Sequence, residues 1–334
     1  MIIRDNADMR GYTTFGVEAS AERLVEYDGL GDLRDYFASH PVSEGYYVIG
    51  GGSNILFRGD YRGTLLHPVY DKNGFGVRRE GDGVVYVRAD AGFDWDDLVG
   101  MCVDNGWFGL ENLSAIPGTA GASAVQNIGA YGAEAKDFIE SVEVYNPFED
   151  ECFTMRGDEC EFGYRDSVFK RRRELIVTAV TYRLSETFVP SLGYADLKAR
   201  VEAEGEPTAS SVRSVIKRVR ASKLPDPKEI GSGGSFFKNP VVDVALADGL
   251  SVRYPSMPRY DVDGGVKIPA GWLIDTAGWK GYRCGDAGVY DKQALVLVNY
   301  GSADGEQVVE LAGRITADVR NKFGIDLKPE IIIL

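Results

Sequence analysis

Residues 111–134 constrain this chain more than any other stretch. Gly, Ala and Ser dominate them and neither helical nor strand periodicity is clear, yet Ile116, Val125, Ile128 and Tyr131 are spaced through the run. A disordered linker is also rich in small residues, but it lacks such apolar anchors. What remains is an ordered segment with small side chains and many available amides, the kind of backbone that wraps a flat group or a diphosphate. A second segment of this kind is Gly50-Gly51-Gly52-Ser53-Asn54, entered from the β-rich run Tyr46-Tyr47-Val48-Ile49. Alone it reads as a plain tight turn. Taken together, the two segments favour a diphosphate-bearing ligand. No G-x-G-x-x-G spacing occurs, which argues against a Rossmann dinucleotide site.

Two further motifs carry chemistry. Phe162-Gly163-Tyr164-Arg165-Asp166-Ser167 places Arg165 after an apolar-glycine pair, with Asp166 beside it as a candidate structural partner. The basic run at residues 170–173 reads as a solvated turn. Later, residues 231–234 deliver Ser235 directly before Phe236 and Phe237. As a linker the segment would be idle, but the two prolines at Pro225 and Pro227 stiffen the approach, so a site residue and a linker remain equally open readings of Ser235. No histidine lies near it, so a hydrolase triad is unsupported.

Charge and cysteine usage narrow the function. The net charge of −14 argues against broad nucleic-acid or anionic-membrane binding. A local cluster, Arg213, Lys217, Arg218, Arg220, Lys223 and Lys228, remains a candidate for an anionic ligand. Cys102, Cys152, Cys160 and Cys284 form no C-x-x-C pair, and with only His40 and His67 a protein-held metal is not expected. No apolar run approaches the roughly 20 residues of a membrane span. The start has no basic-then-apolar leader, so a cytoplasmic location is the simplest expectation.

The chain is too long for one small core. Residues 24–27 and 46–49, the alternating Val85 and Val87, Val142 and Val144, and residues 176–184 read as strands. Leu30, Leu33 and Phe37 keep helical spacing, as do Trp95, Leu98, Val99, Cys102 and Val103 behind an Asp94 N-cap. Val212, Val215, Ile216 and Val219 form the apolar side of a helix bearing the basic cluster, after a linker-like stretch at 202–207. Residues 294–299 read as a buried strand, Val308 to Phe323 as a long helix stopped by Gly324, and residues 331–334 as a buried strand. The expected fold class is α+β or α/β, with a break near residue 205.

In this order the motifs resemble the UDP-N-acetylenolpyruvoylglucosamine reductases, in their longer, type I form. The resemblance runs from Tyr12-Thr13-Thr14-Phe15-Gly16 to Pro329-Glu330 through residues 50–57, 109–112, 116–118, 126–132, 162–167, 223–228, 234–240, 270–275 and 293–299. No single piece is specific, but the set is. Residues 118–121 and 231–234 vary at non-anchor positions.

The resemblance implies an α+β chain with a two-part FAD-binding module of the vanillyl-alcohol-oxidase (PCMH) type, at residues 1–67 and 68–205. An α/β substrate-binding domain at 206–325 follows, and a C-terminal strand at 326–334 returns to the FAD module. It implies non-covalent FAD, NADPH as hydride donor, a UDP-sugar substrate and a monomer. By matching positions, the FAD contacts are Gly50, Gly51, Gly52, Ser53, Asn54, Ile116, Pro117, Gly118, Ser123, Asn127, Gly129 and Ala130. The substrate contacts are Tyr131, Tyr164, Tyr194, Lys223, Asn239, Lys280 and Gln293, with Tyr194 as a mobile cap. The catalytic residues are Arg165 for enolate charge, Ser235 as proton donor to carbon, and Glu330 as a carboxylic acid that hydrogen-bonds the enolate. The apolar run beside Glu330 is expected to favour its neutral form. The competing enzyme reading is an FAD oxidase of the same cofactor fold, with flavin tethered through His67 or a cysteine. The competing non-enzyme reading is a flavin- or nucleotide-sugar-binding regulator, against which Arg165, Ser235 and Glu330 speak jointly.

Overall fold

Val85, Val87 and Ala89 point inward from the strand Val84–Asp90 and are fully buried, while their neighbours are half-exposed, as a one-sided sheet demands. The computed structural model describes the backbone of residues 1–334 and every side chain except that of Glu44. Internal packing divides the chain into two units. One holds residues 1–7, 21–51 and 62–220, the other residues 8–20, 52–61 and 221–334.

The first unit contains two large sheets and a short two-stranded one. Ile2–Asp8, Ser20–Tyr27, Tyr61–Pro68 and Tyr46–Val48 form a four-stranded sheet in that spatial order, the last pair parallel. A five-stranded antiparallel sheet orders Glu151–Arg156, Ile139–Asn146, Ile176–Ser185, Val84–Asp90 and Phe75–Glu80. Helices α1 (Leu30–Ser39), α2 (Trp95–Asp104), α3 (Ala120–Gln126), α4 (Val168–Arg171), α5 (Leu197–Glu202) and α6 (Ala209–Lys223) accompany them. Asp94 caps α2 as the sequence predicts, its Oδ1 accepting the Asp97 amide at 2.9 Å. Trp95, Leu98, Val99 and Cys102 are buried on the core side of α2, and Val103 lies at the edge. Val212, Val215, Ile216 and Val219 of α6 pack on Leu197 and Val201 of α5.

In the second unit Gly231–Ser235, Val296–Asn299, Ala287–Val289 and Arg283–Cys284 form an antiparallel sheet, and Val241–Val242, Gly265–Lys267 and Tyr260–Val262 a smaller one. Helices α7 (Val244–Arg253), α8 (Ala270–Thr276) and α9 (Gly305–Phe323) belong here. Residues 296–299 are all buried, as expected. A capping box between Asp304 and Gln307 starts α9, and Gly324 at φ +69 ends it. The C-terminal strand Ile332–Ile333 pairs in parallel with Ile55–Leu56.

Three expectations change. Residues 111–134 are not an irregular loop, for α3 lies within them; its small residues pack flat on the strand Ile176–Ser185 and give no amphipathic pattern to read. The apolar C-terminus is not wholly buried, because Ile331 is enclosed while Ile333 is exposed. The turn between α5 and α6 falls at the expected break near 205, yet α6 packs into the first unit as far as Arg220.

Candidate active site

Within the first unit the two small-residue segments abut. A Cβ on Gly51 would lie 3.2 Å from the Gly118 Cα, and one on Gly50 would lie 2.9 Å from the Thr119 Oγ1. Two backbones meet there with almost no side chain between them, which the sequence alone suggested only by composition. Thr119 caps α3, its hydroxyl accepting the Ala122 amide at 3.3 Å. At the other end of α3 the Gln126 Nε2 is buried with no hydrogen-bond partner. Ile116 packs against the core of this unit, and Gly118 sits at φ +137.

Ser123 and Asn127, matched to FAD contacts, have other work in this structure. Ser123 is fully buried, its hydroxyl bonded to the Ala120 carbonyl and the Tyr182 hydroxyl, both at 2.7 Å. Asn127 is fully buried in a left-handed conformation. It donates to the Gly163 carbonyl at 2.8 Å and accepts the Lys136 amide at 3.0 Å. Both side chains tie the segment together, and neither presents a polar group outward.

Asn127 thereby anchors the turn that carries Arg165. Gly163 and Asp166 exchange backbone hydrogen bonds of 3.0 and 3.2 Å, leaving Tyr164 and Arg165 at the tip, with Arg165 at φ +53. The Arg165 guanidinium donates to the Gly129 carbonyl in the hairpin Gly129–Ala130 with Ala133–Glu134, and stands 5.3 Å over the Tyr164 ring. Asp166 is not its partner; Arg171 takes Asp166 and Glu161 together. The basic run is not simply solvated either, since Lys170 Nζ holds the Arg165 carbonyl at 2.7 Å.

Tyr131 and Tyr194 meet edge to face, ring centroids 5.7 Å apart, and Tyr194 is otherwise exposed. Asn112 positions both neighbourhoods, donating to the Tyr131 carbonyl at 2.9 Å and the Ser191 carbonyl at 2.8 Å.

Most of the basic cluster on α6 is already spent. Arg213 and Lys217 pair with Asp96, and Arg218 with Glu204. Among the described residues Arg220 has no carboxylate partner; it donates to the Ala115 carbonyl at 3.1 Å. Burial, assisted by the like charge of Arg165, pushes the Arg220 guanidinium below its usual range, against opposing pulls from Tyr131 and Asp96. The sequence missed Asp96, because nothing in its local pattern shows that α6 returns to it.

Burial raises the Asp96 carboxyl, but Arg213, the Ala115 amide and Lys217 outweigh it and hold the pKa down to about 2, from an ordinary 3.8, despite Asp94 nearby. A depressed folded pKa contributes stability that is present above about pH 4 and is lost as pH falls through 2. Nearly two pKa units correspond to about 2 kcal/mol. Urea unfolding of Asp96→Asn beside the unmodified protein should show a stability gap that narrows by about that amount between pH 5 and pH 2. A gap constant with pH would contradict the assignment.

The second unit holds the remaining residues. Gly52, at φ +62, lies so close to the 12–16 segment that a Cβ would sit 1.9 Å from the Tyr12 carbonyl oxygen. Thr13 Oγ1 and Thr14 Oγ1 are buried there without a hydrogen-bond partner among the described residues. Asn54 donates to the Glu330 carbonyl at 3.2 Å. Gly233 is equally constrained, with Phe15 and Ile331 each 2.6 Å from where its Cβ would be. The segment before Ser235 is therefore a packed strand and not a linker. The chain at Glu330 runs beside the one leaving Ser235: the Glu330 amide donates to the Phe236 carbonyl at 2.8 Å, and the Lys238 amide to that of Lys328 at 2.9 Å. Ser235 and Glu330 are both half-buried. Among the described residues nothing hydrogen-bonds the Ser235 hydroxyl.

Asn239 and Gln293 converge on the start of α8. Asn239 Oδ1 accepts the Ala270 amide at 2.9 Å, and Gln293 Oε1 lies 3.0 Å from a Cβ built on Gly271. Lys280 follows α8 and faces Asp275 at 3.5 Å. Lys223 is exposed and, among the described residues, pairs with no carboxylate.

The residues present suit FAD. Its diphosphate and flavin need backbone without bulky side chains, and in the first unit Gly50 and Gly51 pack directly on Gly118 and Thr119. Its polar edges need uncommitted donors and acceptors, and in that unit the Gln126 Nε2 is buried with no partner among the described residues. His67, the residue weighed as a tether, has its Nδ1 at 3.2 Å from the Ile49 carbonyl.

Comparison with known proteins agrees. Residues 226–334 match the C-terminal domain of UDP-N-acetylenolpyruvoylglucosamine reductase, and residues 40–149 match an FAD binding domain. The UDP-N-acetylenolpyruvoylglucosamine reductase of Bacteroides fragilis is 47% identical over 96% of each chain. That of Chromobacterium violaceum is 47% identical over 99% of this chain and 98% of its own. The crystal structure of the reductase of Thermus caldophilus superimposes with a TM-score of 0.69 at 25% identity, covering 99% of both chains. The fold is α+β with an FAD-binding domain, as the motifs implied.

Proposed function

The chain belongs to the UDP-N-acetylenolpyruvoylglucosamine reductase family, and on that premise we propose how its own residues carry the reaction. It is an FAD-dependent oxidoreductase of peptidoglycan precursor synthesis that uses NADPH to reduce the enolpyruvyl ether of UDP-N-acetyl-enolpyruvoylglucosamine to the lactyl ether of UDP-N-acetylmuramate. Bound FAD supplies the two-electron chemistry that links NADPH to the vinyl group.

Residues 50–54 and 116–118, with the hairpin at Gly129 and Ala130, hold the cofactor, and the amides and carbonyls do more of this than the side chains. Tyr194 and Lys223 hold the UDP-sugar, Lys223 through the diphosphate. Tyr131, Tyr164, Asn239, Lys280 and Gln293 complete the substrate contacts. As the vinyl group is reduced, charge builds on the adjacent carbon and its carboxylate. Arg165 meets that charge with a guanidinium that stays cationic and donates in a fork. Glu330, as the acid, adds a hydrogen bond to the same enolate. Ser235 gives its proton to carbon, and the alkoxide left behind is stabilised by neighbouring positive charge or reprotonated. The observation that carries these last two roles is the backbone pairing of Glu330 with the strand leaving Ser235, together with an uncommitted Ser235 hydroxyl.

The domain limits follow the same reading: an FAD module at 1–67 and 68–205, a substrate domain at 206–325, and residues 326–334 returning to the FAD module. Among the described residues no helix is long and apolar enough to cross a membrane. A cytoplasmic location fits the reactants, since NADPH and UDP-sugars are cytoplasmic metabolites, and the reading needs no more than one chain.

The test of the binding half is Lys223→Ala. A diphosphate contact equally strong in ground and transition state lowers affinity without lowering turnover, so KM for the UDP-sugar should rise about tenfold or more while kcat changes little. An unchanged KM removes Lys223 from the site.

A further inference from the structure

Ala115 is gripped at both of its backbone groups. Its amide donates to Asp96 Oδ1 at 2.6 Å, and its carbonyl accepts Arg220 Nε at 3.1 Å. Between these two contacts Ala115 holds φ +57, a left-handed conformation that disfavours a residue with a Cβ. The grips come from different helices, Asp96 from α2 and Arg220 from α6, and Arg213 and Lys217 of α6 fix the Asp96 carboxylate in turn. Ile116, Pro117 and Gly118 follow immediately, and Gly118 is the residue that meets Gly51. All of these groups lie in the first unit.

We propose that Asp96 is a positioning residue for the cofactor: by holding Ala115 left-handed it aims residues 116–118. The inference rests on the reading that 116–118 contact FAD, and it adds a residue that does not itself touch the cofactor. Without the Asp96 acceptor, Ala115 relaxes toward the ordinary right-handed or extended regions, and the following three residues turn with it. Glycine at 115 removes the reason for relaxation, since it occupies the left-handed region without penalty.

The experiment is FAD affinity, measured by titrating the deflavinated full-length protein with FAD and following flavin fluorescence. Asp96→Ala should weaken FAD binding by about tenfold or more. Asp96→Asn keeps an acceptor for the Ala115 amide and should lose less. Asp96→Ala combined with Ala115→Gly should regain most of the lost affinity, which repair of α2–α6 packing cannot explain, because Ala115→Gly restores no ion pair. Gly118→Val serves as the control on the underlying reading. If Gly118→Val weakens FAD and Asp96→Ala does not, or if Ala115→Gly fails to rescue, the positioning role is wrong and the cofactor reading stands. If Gly118→Val leaves FAD affinity unchanged, residues 116–118 do not contact FAD and the inference falls with them.

Discussion

With Ser235 replaced by alanine, NADPH still bleaches the flavin absorbance at close to the wild-type rate, while recovery of that absorbance on adding the enolpyruvyl substrate slows by about 10²–10⁴, the usual worth of a positioned proton donor. The two half-reactions separate because a donor to carbon is needed in only one of them. Ser235 is suited to the task by what it does not do: its residue is half-buried and, among the described residues, its hydroxyl makes no hydrogen bond, unlike that of Ser123, which is consumed by Ala120 and Tyr182. Its backbone is fixed by pairing with Val296, so the hydroxyl cannot wander far. Ser235→Cys retains a proton donor and should be less impaired than alanine. Stopped-flow absorbance with each substrate in turn reads the outcome. Equal slowing of both halves would make Ser235 a structural residue and leave Glu330 as the donor.

Arg165→Met should reduce kcat by about 10²–10³, the scale on which single oxyanion donors act, with little change in KM for NADPH. The guanidinium is the group with a fixed positive charge at the tip of the 163–166 turn, and Asn127, the Gly163–Asp166 pairing and Lys170 hold that tip in place. Asp166, the carboxylate next to it in sequence, is taken by Arg171. Arg165→Lys keeps the charge and loses the fork, so it should recover only part of the loss. The loss of packing on Gly129 is a separate effect, read by whether the flavin spectrum changes. A variant with normal kcat would show that the developing charge is met elsewhere, Arg220 being another half-buried cation of that unit.

The motifs were legible because chemistry restricts composition. The glycines at 50–52 and 118 stand out in sequence, and the structure explains why no larger residue serves at the points where they touch. Arg165, Ser235 and Glu330 lie in motifs whose neighbours set their placement. The helices with a broad apolar face, α2, α6 and α9, were equally readable, since periodicity survives wherever one side meets a core. What stayed hidden was long-range. Nothing near Asp96 announces that Arg213, more than a hundred residues on, returns to it, so α6 read as a patch for an outside anion when most of its charge is internally paired. α3 was hidden for the opposite reason: a helix of Ala, Gly and Ser packed flat on a sheet shows no moment, and its signal was the N-cap Thr119. The side chains of Ser123 and Asn127 turn inward and tie the loop to itself, partnerships that no local pattern announces.

The most direct measurement is the visible absorbance of the purified protein, first alone, then with NADPH in the absence of oxygen, then with UDP-N-acetyl-enolpyruvoylglucosamine. The account predicts a yellow protein that bleaches with NADPH and regains its colour on addition of the enolpyruvyl substrate, with one lactyl product formed per flavin. A colourless protein that takes up no FAD on reconstitution, or a flavin whose colour returns with oxygen but never with the enolpyruvyl ether, would contradict it.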